Sequence, residues 1–155
     1  MTPPVRSKVL LIASTGGHLD HLVALRPWWS RHERRWVTFD KADARSSLAG
    51  EQIYWAHHPT TRNIPNLLRN FAVAVRVMRS FRPDVVISTG AGVAVPFFVL
   101  AKLFGARTVY LEVYDRIDSP TLTGRLCHPL TDLFLVQWEA QRELYRGSVV
   151  IGQLF

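Results

Sequence analysis

Two glycine turns hold most of the residues in this sequence that could do chemistry. Ser14-Thr15-Gly16-Gly17-His18 follows the apolar run Val9 to Ala13 and leads into the helix-periodic Leu19, Leu22 and Val23. Thr89-Gly90-Ala91-Gly92 follows Val85 to Ser88 and leads into a second apolar stretch. Glycine lets a chain turn sharply and approach a ligand closely. The N–H groups at a helix start favour an anion. Together the turns could cradle a diphosphate. Neither is G-x-G-x-x-G or a Walker A sequence, and a plain structural turn uses the same residues.

A neutral His18 could take a proton from a hydroxyl nucleophile; it could equally cap its helix. Glu112 stands directly after the apolar Thr108 to Leu111. A carboxylate buried there must be paired or serve a ligand, and Arg116 is the candidate partner. His57 and His58 have no third ligand at useful spacing, and adjacent side chains on an extended segment diverge. No metal site is expected. The sequence has no G-x-S-x-G elbow, no supported Cys-His pair and no obvious carboxylate dyad.

The elements that must position these residues alternate between strands and helices. Lys8 to Ser14 reads as a central parallel strand, continuous and branched. A helix over His18 or Leu19 to about Trp29 follows, with Pro27 awkward near its end. Strands are expected at Arg35 to Phe39, Gln52 to Ala56, Val85 to Ser88, Thr108 to Leu111, Asp132 to Val136 and Ser148 to Ile151. Short helices are expected at Ala42 to Leu48, Leu122 to Leu130 and Glu139 to Tyr145. The spacing of Ile64, Leu67, Leu68, Phe71, Val75, Met78 and Phe81 predicts a helix with one apolar face over 64–81. Arg62, Arg69 and Arg76 recur along it as a basic stripe, read either as a solvated face or as a contact with an anionic membrane. Val93 to Phe104 is an apolar helix with Pro96 in its first turn and Gly105 as its cap. Such alternation predicts an α/β, Rossmann-like parallel sheet with helices on both faces, in a single domain over 1–155. Ligands then bind beyond the carboxyl ends of the strands, where Gly16, Gly17, His18, His57, His58, Gly90, Gly92, Glu112, Gln137 and Trp138 fall.

Composition narrows the partners. The 155 residues are 48% apolar, enough for a real core and too apolar for disorder. The net charge of +7, with Arg far outnumbering Lys, seeks anions. The five tryptophans and the arginines are scattered rather than gathered into a stacking platform, so nucleic acid is not expected. One cysteine, Cys127, cannot form an internal disulfide and reads as a small buried apolar side chain in a reducing compartment. No apolar run is long enough for a signal peptide or a membrane span.

The block Glu112 to Trp138 (EVYDRIDSPTLTGRLCHPLTDLFLVQW) carries a resemblance. It is similar to the Glu-x-x-x-Arg, Ser/Thr-Leu-Thr-Gly, Tyr/His-Pro-x-x-Asp, Val-Gln-Trp signature of the acceptor-side subunit of split glycosyltransferases. In eukaryotes this is the asparagine-linked glycosylation protein fourteen family; in bacteria it is the PssD-type subunits of exopolysaccharide and capsule synthesis. Both glycine turns match as well, and the turns are shared with MurG and its relatives.

The resemblance implies the N-terminal Rossmann-like half of a GT-B glycosyltransferase. It implies a hexosyltransferase subunit, active only with a small partner subunit that supplies the donor-binding half. The UDP-sugar is then a co-substrate, with no tightly bound cofactor. The acceptor is a polyprenyl-diphosphate-linked sugar, and the site is the cytoplasmic face of the membrane, held peripherally. Under it His18 and Glu112 are the catalytic candidates. Ser14, Thr15, Gly16, Gly17, Thr89, Gly90, Gly92 and Arg116 face the acceptor and its diphosphate, and Arg62, Arg69 and Arg76 touch the membrane. Unlike the eukaryotic pattern, the sequence shows no N-terminal anchor, and its length is that of half an enzyme. The alternative is a stand-alone nucleotide- or phosphate-binding domain without transfer activity.

Overall fold

The computed structural model describes residues 6–115 and 118–154. Seven parallel strands form one sheet in the order β3-β2-β1-β4-β5-β6-β7. They are β1 (Lys8–Ile12), β2 (Glu33–Phe39), β3 (Ile53–Ala56), β4 (Val85–Ser88), β5 (Arg107–Leu111), β6 (Leu133–Val136) and β7 (Val149–Val150). The helices are α1 (Gly17–Val23), α2 (Arg26–Trp29), α3 (Ala42–Ser47), α4 (Ile64–Phe81), α5 (Ala94–Phe104), α6 (Leu122–Cys127) and α7 (Glu139–Leu144), with a 3-10 turn over His128–Leu130. The expected fold class is therefore present.

β1 explains its own sequence. Val9 and Leu11 enter the core beneath α1 to α3, while Leu10 and Ile12 enter the core beneath α4 and α5. All four are fully buried, so the strand is apolar on both faces and cannot alternate. β1 pairs with β2 on one side and β4 on the other. The chain leaves β1 toward β2 and leaves β4 toward β5, in opposite directions along the sheet. That reversal opens a crevice between the two carboxyl ends.

Two expectations change. The first helix is not continuous to Trp29. Pro27 has no N–H for the carbonyl of Val23, so the chain breaks at Ala24 and Leu25, and Pro27 sits in the first turn of α2. The buried face of α4 is also rotated from the apolar stripe. Asn66, Asn70, Val73, Ala74, Val77, Met78 and Phe81 face inward, whereas Ile64, Leu68 and Val75 are exposed. The asparagines are tolerated inside because each has partners. Asn70 accepts from the N–H of His57 (2.8 Å) and donates to its carbonyl (3.0 Å), and Asn66 donates to the carbonyl of Pro59 (2.8 Å).

These amides tie α4 to the segment after β3. Asn70→Ala leaves both backbone groups of His57 without that partner. It should lower unfolding stability by about 1–3 kcal/mol, read from the urea midpoint at unchanged slope.

Candidate functional site

A cleft of ≈ 900 Å³ lies at the carboxyl ends of the central strands. Ser14, His18, Ala91, Gly92 and Tyr110 line its sheet side. The segment 58–63 and the start of α4 form one wall, and Thr121, Leu122, Thr123 and Leu126 contribute to another. Among the described residues its charged side chains, Lys41 and Arg62, are cations, and none of those lining it is Asp or Glu. Ile64, Leu67, Val95, Leu122 and Leu126 make the rest of it apolar. A smaller hollow (≈ 520 Å³) at the opposite end of the sheet, near Arg82 and Phe104, holds neither glycine turn nor histidine.

His18 joins the two turns. Its Nδ1 lies 2.8 Å from the carbonyl oxygen of Thr89, and the Thr89 hydroxyl donates back to the carbonyl of His18 at 2.6 Å. A carbonyl only accepts, so the shared proton sits on Nδ1. With Nδ1 so protonated, a neutral ring has its lone pair on Nε2. Gly90 lies beneath this clasp at φ +113, and a Cβ there would sit 2.7 Å from Tyr110 Oη and 3.4 Å from His18 Cε1. A Cβ at Gly92 would meet Thr60 at 3.1 Å. The second turn thus needs its glycines for close packing around His18 and segment 58–63.

The first turn is occupied from within the chain. Gly16 adopts φ +76, and its N–H donates to Asp43 Oδ2 at 2.9 Å. Gly17 is exposed, Ser14 and Thr15 are half-buried, and only Ser14 of these lines the cleft.

Glu112 is fully buried and does not line the cleft. Its Oε2 accepts from the Tyr145 hydroxyl at 2.5 Å and its Oε1 from the N–H of Val113 at 3.0 Å. Arg116, its expected partner, lies outside the described residues. Of the arginine stripe, Arg62 enters the cleft, while Arg69 and Arg76 stand on the outer face of α4 near exposed Leu68 and Val75. His57 is held by Asn70, and His58 packs on Phe39 at 5.1 Å and lines the cleft. Among the described residues no group of three His, Cys, Asp or Glu side chains could hold a metal ion. No helix among them is long and apolar enough to cross a membrane.

The family described as "Oligosaccharide biosynthesis protein Alg14 like" matches residues 55–154. The chain belongs to the Alg14-like family. The UDP-N-acetylglucosamine transferase subunit ALG14 of Candida albicans is 33% identical over 93% of this chain and 76% of its own length. The human subunit of that name is 25% identical over 99% of this chain and 86% of its own. The family is thus one of glycosyltransferase subunits. Among solved structures, MurG of Acinetobacter baumannii superposes with a TM-score of 0.76 at 18% identity. That likeness covers 94% of this chain and 45% of the MurG chain, and it shows a shared GT-B-type fold.

The Alg14-like signature block is mostly framework. Asp132 accepts from Lys102 Nζ at 2.7 Å and from the N–H of Thr108 at 2.8 Å. Lys102 foremost, then Thr108, holds its carboxyl below the usual carboxylate range. His128 meets the carbonyl of Arg146 at 2.8 Å, and Gln137 donates to the carbonyl of Glu112 at 3.0 Å. Among the described residues of the block, Thr121, Leu122, Thr123 and Leu126 reach the cleft.

Three cleft features escaped sequence reasoning: Lys41, Tyr110 and the threonines of segment 58–63. Lys41 was within reach, since it follows the end of β2 as His18 follows β1. Tyr110 was not, because an aromatic in a strand reads as core. The crowding at Gly90 generates a test. Gly90→Ala adds left-handed strain and overpacking, together about 2–4 kcal/mol. A urea titration should show that loss, and the His18 ring resonances should shift relative to the wild type.

Proposed function

We propose that this chain is the acceptor-side subunit of a two-subunit glycosyltransferase. A small partner supplies the donor-binding half, the donor is a UDP-sugar, and the acceptor is a polyprenyl-diphosphate-linked sugar. The observation that carries the reading is the make-up of the cleft. Cations at Lys41 and Arg62 suit a diphosphate, the apolar wall of Ile64, Leu67, Leu122 and Leu126 suits a lipid chain, and His18 stands between the turns. The names of the relatives supply the UDP-sugar as donor class.

In this reading His18 is the general base. Its Nε2 accepts the proton of the acceptor hydroxyl as that oxygen bonds to the anomeric carbon. The bond from that carbon to the UDP oxygen breaks, and UDP leaves with the electron pair. The carbonyl of Thr89 orients the ring and faces the imidazolium that forms. Gly90 and Gly92 let the second turn pack against His18, Tyr110 and Thr60, and Thr89 acts through His18. Glu112 serves behind the cleft wall rather than on the substrate.

Membrane docking belongs to the same proposal. The outer face of α4 sets exposed Ile64, Leu68 and Val75 beside Arg69, Arg76 and Arg79, the pattern of a helix lying in an anionic interface. The orientation is peripheral, at the cytoplasmic face.

Reconstitution with a donor-half subunit, a UDP-sugar and a polyprenyl-diphosphate sugar should give transfer that neither subunit gives alone. Tight UDP-sugar binding by the isolated chain, without transfer in the complex, would instead favour a stand-alone nucleotide-binding domain. In the complex His18→Ala should lower kcat by about 10²–10⁴-fold with the far-UV spectrum unchanged; near-normal turnover removes it as the base.

Each cation near an anionic surface contributes roughly 1 kcal/mol. The double substitution Arg69→Glu and Arg76→Glu changes four unit charges. It should cut co-sedimentation with phosphatidylserine vesicles by at least about a hundredfold. Unchanged co-sedimentation would return the stripe to a solvated face.

A further inference from the structure

One buried chain of hydrogen bonds makes no contact with the reacting groups of the reading above. It starts at Glu112, at the end of β5, and runs through the Tyr145 hydroxyl to the first turn of α6. That hydroxyl donates to Glu112 Oε2 (2.5 Å) and accepts from the backbone N–H of Thr121 (3.1 Å). Thr121 is the N-cap of α6, its own hydroxyl accepting from the N–H of Gly124 at 2.9 Å. Gly124 leaves the room for this contact. A Cβ there would lie 2.3 Å from Tyr145 Oη and 2.9 Å from Thr121 Oγ1.

α6 has six residues, too few to hold a helix unaided. Its outward residues Leu122 and Leu126 are 72% and 49% exposed and line the cleft, so packing alone holds them poorly. The Tyr145 ring is fixed independently, stacked on Phe134 at 4.2 Å. Burial, together with the Glu112 carboxylate, pushes the Tyr145 hydroxyl up to about 12. It therefore keeps its proton, and the donor role toward Glu112, throughout the neutral range.

We infer that Tyr145 is a positioning residue that, anchored by Glu112, fixes the α6 wall of the cleft and thereby sets affinity for the lipid-linked acceptor. The acceptor part rests on the function proposed above; the positioning part does not. Neither side chain lines the cleft; the hydrogen bond to the Thr121 N–H joins the hydroxyl to the lining residues Thr121, Leu122, Thr123 and Leu126.

Tyr145→Phe removes the hydroxyl and keeps the stacked ring. In the reconstituted complex the acceptor KM should rise on the order of tenfold, as for one lost hydrogen bond. The kcat and the donor KM should stay within about twofold. In the isolated full-length chain, amide exchange should quicken over residues 121–127 and stay unchanged over 64–81. An unchanged acceptor KM with unchanged exchange overturns the inference. So does quickened exchange across the whole chain, which marks a general loss of stability, or a fall in kcat at constant KM, which marks substrate contact. If the wild-type complex transfers nothing, the proposed function fails, and the exchange experiment still decides whether Tyr145 holds α6.

Discussion

The reciprocal clasp of His18 and Thr89 is the contact on which the site depends. β1 and β4 are neighbours whose following helices depart in opposite directions, so their carboxyl ends would otherwise bound an open crevice. Two hydrogen bonds across 71 residues of sequence close its floor. They set the position of the imidazole and its tautomer in one arrangement. The demand then spreads outward. Gly90 must adopt a backbone that other residues resist, Tyr110 must end beneath it, and Gly92 must leave room for Thr60. Several residues with the look of a phosphate loop are explained by what a histidine needs in order to sit still.

The molecule separates surfaces that meet ligands from those that hold them. The cleft lining is short polar, basic and apolar side chains on loops and helix starts. Behind it lie full-length networks in which polar groups find protein partners: Glu112 with Tyr145 and Val113, Gln137 with Glu112, and Asp132 with Lys102 and Thr108. A buried polar group without a partner is costly, and each of these is satisfied. The residues that make the Alg14-like signature recognisable therefore fall largely on the support, while the residues that could meet substrate are chemically ordinary.

Much of the fold was legible because parallel strands buried on both faces are continuous apolar runs and their punctuation is polar. All seven strands were found to within one or two residues. The two glycine turns and His18 stood out for the same reason, since they interrupt such runs. What periodicity could not read was any place where a polar side chain faces inward. Asn66 and Asn70 belong to the buried side of α4 because the backbone of His57 and Pro59 needs them, and hydropathy assigns that side to Ile64 and Leu68 instead. Pro27 was legible as a misfit, yet only the tertiary path showed that it starts a helix. Tyr145 carried no signal, because its role lies in contacts 24 and 33 residues away.

The asparagines of α4 have a consequence for its outer surface. Apolar packing tolerates a helix rolling or sliding by a fraction of a turn, since one methyl group can replace another. Amide pairs do not, because a roll strands the N–H and C=O of His57 together. α4 is thus indexed about its own axis by hydrogen bonds on the inside. Its outward strip can press on a soft, disordered surface and exchange neighbours there, and the angle of the cleft wall will not follow. A helix built this way holds the start of the cleft wall at a fixed angle to the segment after β3.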